Sequence, residues 1–232
     1  MRAIFAILIL ATGLGFGGAA LADYQDGLDA YERGDYATAL HEFRPLTEWG
    51  NASAQNNLGV MYGKGQGVAQ DFEEAVKWYR KAAEQGYVSA QFNLGKAYEN
   101  GLGVQQDYKE AVKWYRKAAQ QGDVTAQNNL GVMYENGQGV LQDYKKAAKW
   151  YRKSADRGFA NAATNLGSMY FKGLGVLKNN MRAHMWSDIG GANGDERGAK
   201  NRETFASKMS LHEIRVAQIM AELCMNSNYN DC

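Results

Sequence analysis

Proline is almost missing from this chain: Pro45 is the single one in 232 residues. A proline inside a helix costs roughly 3 kcal/mol, so its scarcity suits a mostly helical protein. Histidine is nearly as rare. His41, His184 and His212 lie far apart, and His212-Glu213 lacks the second histidine of a zinc-binding H-E-x-x-H segment. No spacing for a metal site is present, and no cofactor is implied. The chain also lacks S-x-x-K, G-x-S-x-G and G-x-x-x-x-G-K-[ST] segments, which removes the common serine-acylation and phosphate-loop chemistries. Neither sign of charge dominates, with 26 basic and 25 acidic residues. Nucleic-acid binders normally carry a basic face, and the balance argues against that partner. Glycine, by contrast, is plentiful at 27 residues, and it recurs at fixed places.

The first residues differ from the rest. Arg2 is followed by a mostly apolar stretch, and Ala20-Leu21-Ala22 is an A-x-A cleavage pattern before Asp23. That combination predicts a secretory signal peptide cut after Ala22. Cleavage removes Arg2 and leaves basic and acidic residues equal at 25. The predicted destination is periplasmic or secreted, with no membrane insertion after cleavage and a monomeric mature chain. An uncleaved anchor is the alternative. Cys224 and Cys232, the only cysteines, predict a disulfide in such an oxidising compartment. A redox-active pair is the other reading, but the pair lacks C-x-x-C spacing and neighbouring lysines.

The dominant feature is a repeat. The segment AQNNLGVMY at 54–62 returns as AQFNLGKAY at 90–98, as AQNNLGVMY at 126–134 and, more worn, as AATNLGSMY at 162–170. The period of 36 residues is in the range of stacked supersecondary units. Ala54, Leu58, Met61 and Tyr62 have the spacing of a first helix, and the run from Gly63 to Gly67 is expected to end it. Asp71 with Glu74 predicts an N-cap and capping box opening a second helix; Asp107 with Glu110 repeats it. Asp143 keeps only the cap, and Asn179 replaces it. Trp78, Trp114, Trp150 and Trp186 recur at the period, as do Gly86, Gly122, Gly158 and Gly194. Each helix alone has an apolar stripe it cannot bury, so pairs must stack. The Trp-Tyr pairs and small residues such as Gly59 read as packing. The recurrent Lys-Trp-Tyr-Arg-Lys segments leave two readings: a solvated face balanced by acidic neighbours, or an edge that binds an anionic partner.

Both ends carry partial units. Residues 23–51 read as an N-terminal capping helix pair, in which Pro45 predicts a kink. Residues 52–194 are the four repeats. Residues 195–232 read as C-terminal capping helices: one over 195–209, then one opened by the Ser210–Glu213 capping box and running to about Leu223.

Ala-x-x-x-Leu-Gly-x-x-Tyr, Gly-x-Gly-Val and Ala-x-x-Trp-Tyr-x-x-Ala-Ala together resemble the Sel-one-like repeat family, a relative of tetratricopeptide repeats. The resemblance implies an all-α fold, a right-handed α-solenoid of antiparallel helix pairs. It implies a non-enzymatic scaffold for protein complexes, with exported members serving envelope regulation or assembly. A cysteine-rich secreted branch of the family is linked to β-lactam binding or hydrolysis. Its members carry a cysteine pair in each repeat, and this chain has none there.

In tetratricopeptide arrays the first helices line the concave surface. That pattern places Asn56, Phe92 and Asn128 there, with Asn57, Asn93, Asn129 and Asn165, with Lys96, and with Lys64, Asn100, Asn136 and Lys172. An asparagine ladder offers donors and acceptors to an extended protein or peptide partner. Its alternative role is to bond neighbouring repeats. Positions that vary between copies, chiefly Phe92 and Lys96, are the specificity candidates.

Overall fold

The computed structural model describes residues 23–230 and 232. The predicted signal peptide and its cleavage site lie outside the described residues. Among those residues there are twelve helices and no strand. α1 (Tyr24–Glu32) and α2 (Tyr36–Glu48) form the N-terminal pair. Four hairpins follow: α3 (Ala52–Lys64) with α4 (Phe72–Glu84), α5 (Val88–Asn100) with α6 (Tyr108–Gln120), α7 (Val124–Asn136) with α8 (Tyr144–Ala155), and α9 (Ala160–Lys172) with α10 (Asn180–Ala192). α11 (Glu196–Ala206) and α12 (Leu211–Asn226) close the array. From α1 to α10 each helix packs chiefly on its hairpin partner, and each second helix then packs on the first helix of the next hairpin; α11 and α12 both pack on α10. The result is an α-solenoid.

Helix boundaries follow local chemistry. The Asp71 side chain accepts from the Glu74 N–H, Asp107 from Lys109 and Glu110, Asp143 from Lys146 and Asn179 from Arg182. Such caps contribute about 1 kcal/mol each. The predicted capping boxes at Asp71 and Asp107 are only half formed. Glu74 and Glu110 turn forward to Lys77 and Lys113, at 2.9 and 3.0 Å, instead of back to the cap. A lysine three residues on competes for the carboxylate. Ser210 and Glu213 do form the full box. Asn51 and Asp123 cap first helices as well.

The first helices run further than the sequence pattern implied. α3 passes through Gly63 and closes at Gly65, with φ 68°. Two residues later a second left-handed glycine lets the loop touch the preceding unit. Gly103, at φ 70°, lies against the Phe72 carbonyl so closely that a Cβ would overlap it. Only glycine tolerates both demands. The loop then returns, and the Asp107 N–H donates to the Tyr98 carbonyl at 3.0 Å.

Inside each hairpin an aromatic ring lies on a bare helix backbone. A Cβ added at Gly59, Gly95 or Gly131 would lie 2.6 to 2.7 Å from the rings of Tyr79, Tyr115 and Tyr151 respectively. Between hairpins a buried polar seam adds direction to the apolar contact. The Gln91 amide donates to the Ala83 carbonyl at 3.2 Å, while its own oxygen accepts from Gln121 at 2.8 Å. Gln55, bonded to the Thr47 carbonyl and to Gln85, repeats the arrangement one unit earlier.

The ends are fastened by different means. α2 continues through Pro45 to Glu48. Phe171 stacks on Phe205 at 4.2 Å, joining α9 to α11. α12 packs on α10 and reaches Asn226, three residues past the sequence expectation. Cys224 and Cys232 are disulfide-bonded. The tail they close holds Tyr229, whose hydroxyl exchanges hydrogen bonds with Asn193 at 2.9 and 3.2 Å.

Two outcomes are expected. Alanine is the better helix former by about 1 kcal/mol, yet Gly95→Ala should destabilise by about 1–3 kcal/mol because its methyl group enters the Tyr115 ring; urea unfolding measures it. Reducing the disulfide should remove about 2–3 kcal/mol in the chain-entropy model, read as a lower melting temperature with increased amide exchange at Asn193 and in α12.

Candidate functional site

The predicted surface residues separate into two groups. Asn56 and Asn128 are buried. Asn93 Nδ2 donates to Asn56 Oδ1, and Asn165 Nδ2 to Asn128 Oδ1, both at 3.0 Å. Within a helix, Asn56 reaches Asn57 at 3.4 Å and Asn128 reaches Asn129 at 3.3 Å. Asn57 also donates to the Tyr24 hydroxyl at 3.2 Å. A buried amide must find partners inside the protein, and here the ladder binds unit to unit. Phe92 interrupts it. It stands where Asn56 and Asn128 stand, half-buried, with its ring 5.8 Å from Tyr115.

Lys64, Lys96, Asn100, Asn136 and Lys172 form the second group, and all are exposed. Asn100 Nδ2 donates to the Lys96 carbonyl at 2.9 Å. Lys64 Nζ is 3.5 Å from the Tyr31 hydroxyl. Neither Lys64 nor Lys96 is paired with a carboxylate among the described residues.

Many basic residues of the second helices are engaged within the array. Lys77, Lys113 and Lys146 pair with carboxylates three residues earlier. Lys81 and Lys117 each lie 4.0 Å from the centre of a tryptophan ring, those of Trp78 and Trp114. Arg80 donates to the Tyr98 hydroxyl at 2.7 Å and Arg116 to that of Tyr134 at 3.1 Å.

Two carboxylates that the sequence reading passed over take part in the packing. The Tyr115 hydroxyl donates to Glu99 at 2.5 Å, and the Tyr151 hydroxyl to Glu135 at 2.6 Å. Burial and the accepting carboxylate push both phenols far above their ordinary range. Tyr79 is their counterpart in the first unit, pushed up to about 12 by burial. Its glutamate is missing, because position 63 is glycine. A cleft of about 220 Å³ opens there between α3 and α5, floored by α4 and lined by Lys64, Tyr79, Asn93 and Lys96 among others. The signal was available in the sequence: glutamate recurs at 99 and 135 but not at 63.

The described residues contain no group of three or more His, Cys, Asp or Glu placed to hold a metal ion. None of their helices is long and apolar enough to cross a membrane.

A family model for the Sel1 repeat matches residues 52–87, 88–123, 124–159 and 160–195. The chain belongs to the Sel1 repeat family. Its four Sel1 repeats coincide with the four central hairpins. A Sel1 repeat protein from Oxalobacter formigenes is 39% identical over 76% of this chain and 72% of its own, with a TM-score of 0.72. The protein c5321, a protective antigen of uropathogenic Escherichia coli strains with an SLR fold, is 35% identical with a TM-score of 0.81. That match covers 89% of this chain but only 46% of the antigen. A Klebsiella pneumoniae Sel1 repeat protein, 23% identical with a TM-score of 0.52, shares the fold. No curated protein matches the chain.

Asn56→Ala should lower stability by about 1–2 kcal/mol, since it leaves the Asn93 amide without its acceptor. Asn136→Ala, on the exposed face, should stay within about 0.5 kcal/mol of the parent. Equal losses in denaturant unfolding would contradict this division.

Proposed function

We propose that this Sel1 array is an exported interaction scaffold that holds an extended segment of a partner protein along the concave surface of its first helices. Sel1 repeat arrays are in general protein-binding scaffolds. The observation that carries the reading is a division of labour between copies. Interior positions repeat, while the accessible ones differ: Lys96 stands where the other units have Val60, Val132 and Ser168. An unpaired lysine between half-buried Phe92 and exposed Asn100 offers charge, apolar surface and an amide within about two turns of helix. The surface is a groove for peptide, the mode in which anchors in pockets supply specificity. The balanced charge speaks against nucleic acid.

Two observations support export. The N-terminal pattern fits a signal peptide, and a disulfide persists in oxidising compartments. The similar Escherichia coli protein is described as a protective antigen, which agrees with a role in the cell envelope. The mature chain acts as a monomer, in envelope regulation or assembly.

Peptides selected by phage display on the folded chain should shift the amide resonances of Asn93, Lys96 and Asn100 and leave those of Lys109 and Lys113 unmoved. The double variant Phe92→Ala/Lys96→Ala should keep its helical circular dichroism, melt at a lower temperature and bind about tenfold or more weakly. Shifts confined to the second helices would overturn the concave assignment.

A further inference from the structure

The first unit lacks one functional group that the second and third carry. In the second and third, a glutamate of the first helix accepts the hydroxyl of a buried tyrosine on the second helix. In the first, Tyr79 is present and the glutamate is absent. Its hydroxyl donates to no acceptor among the described residues. Glycine is not required at position 63 by space. Gly63 is helical, and a Cβ there would lie 3.5 Å from Tyr79 Oη and 3.7 Å from Ala75 Cβ, which is ordinary contact. A glutamate would fit there as it does at 99. Its absence opens the cleft.

The cleft is matched to the group that is missing. Tyr79 Oη is a hydrogen-bond donor at its floor. Lys64 and Lys96 border it, neither paired with a carboxylate. Lys96 is specific to this place, since the equivalent positions in the other units are uncharged. Asn93, whose amide is bonded to Asn56, also lines it, and the remaining wall is apolar, with Val60 inside and Phe72 and Leu102, 37% and 39% exposed, at the rim. A carboxylate on a short aliphatic stem, flanked by apolar groups, satisfies all of these at once.

The geometry points to the Gly63 cleft as a socket for a glutamate side chain of the partner segment, which takes the place that Glu99 and Glu135 hold in the next two units. This inference rests on the concave-surface reading of the proposed function and names one anchor within it. The two observed tyrosine–glutamate pairs set the chemistry of the occupant: a side-chain carboxylate, not a free acid or a chain terminus. The bond would be charge-assisted and shielded, of the strong kind.

The test is an amide NMR titration of the mature chain with an acetylated, amidated pentapeptide carrying one central glutamate between leucines. Shifts are expected at Gly63, Lys64, Tyr79 and Lys96, with a dissociation constant on the order of 1 mM. The glutamine version should bind about tenfold more weakly, the effect of one hydrogen bond to a charged group. Gly63→Glu should raise the melting temperature and abolish the shifts, because the chain then supplies its own carboxylate. Tyr79→Phe should weaken binding about tenfold and keeps the test open if Gly63→Glu fails to fold. The socket is overturned if the glutamine peptide binds equally, if no shifts appear, if glutarate alone binds as tightly, or if folded Gly63→Glu still binds. Phage-selected peptides separate this outcome from the broader reading. Peptides lost by Phe92→Ala/Lys96→Ala but retained by Gly63→Glu would remove the socket and leave the concave surface standing; peptides held only by the second helices would remove both.

Discussion

An aromatic ring set against the bare backbone of a glycine fixes the distance between the two helices of a unit, and the rest of the array depends on that distance. Tyr79, Tyr115 and Tyr151 make the contact with Gly59, Gly95 and Gly131, and Phe43 makes it with Gly27 in the N-terminal pair. In the last repeat the ring is gone, and Ser187 approaches Gly167 instead. The close approach brings the hairpin's alanines into register, with Ala82, Ala90, Ala111 and Ala118 fully buried. Small side chains alone would contribute little buried area. The rings supply it, and the alanines allow neighbouring units near enough for the glutamine seam to form. A repeat spaced by larger residues could not bring Gln91 to the Ala83 carbonyl.

Much of this was legible in the sequence because it is periodic. The recurring glycines, the capping aspartates and the Trp-Tyr pairs gave the helix count of the central units, and the family resemblance gave their architecture. The failures concerned choices that spacing alone does not decide. Glu74 and Glu110 met a cap on one side and a lysine on the other, and spacing does not say which wins. The asparagines of the first helices looked like a polar lining. In the folded array Asn56 and Asn128 turn inward, because the neighbouring unit brings Asn93 and Asn165 to their oxygens. Gly63 read as a helix stop because it opens a glycine cluster, whereas Gly65 holds the left-handed position. Tyr115 and Glu99 are 16 residues apart, a separation that becomes a contact only after the loop has folded back.

The candidate site depends on a comparison of a different kind. A position that is the same in every copy is explained by packing. A position that departs in one copy, while its surroundings persist, leaves a local imbalance. Lys96 adds a charge with no partner, and Gly63 removes an acceptor from a tyrosine that remains. Both departures face the same cleft between α3 and α5. Either alone would be an ordinary surface variation; together they put an unpaired charge and an unmet donor in one cleft.

The seam between units has a consequence for how such chains change over generations. The side chain at one recurring position, Gln121, Arg157 and Asn193, donates to a glycine carbonyl of the unit before it, at Gly86, Gly122 and Gly158, and the second glycine of the Gly-x-Gly loop rests on that same preceding unit. A duplication or deletion of one whole period would therefore create a junction whose hydrogen bonds are already complementary, whereas a partial one would strand a glutamine or a carbonyl. Array length is inherited in whole steps, and a newly copied unit is free to lose a side chain, as position 63 lacks one, without unsettling the fold that carries it.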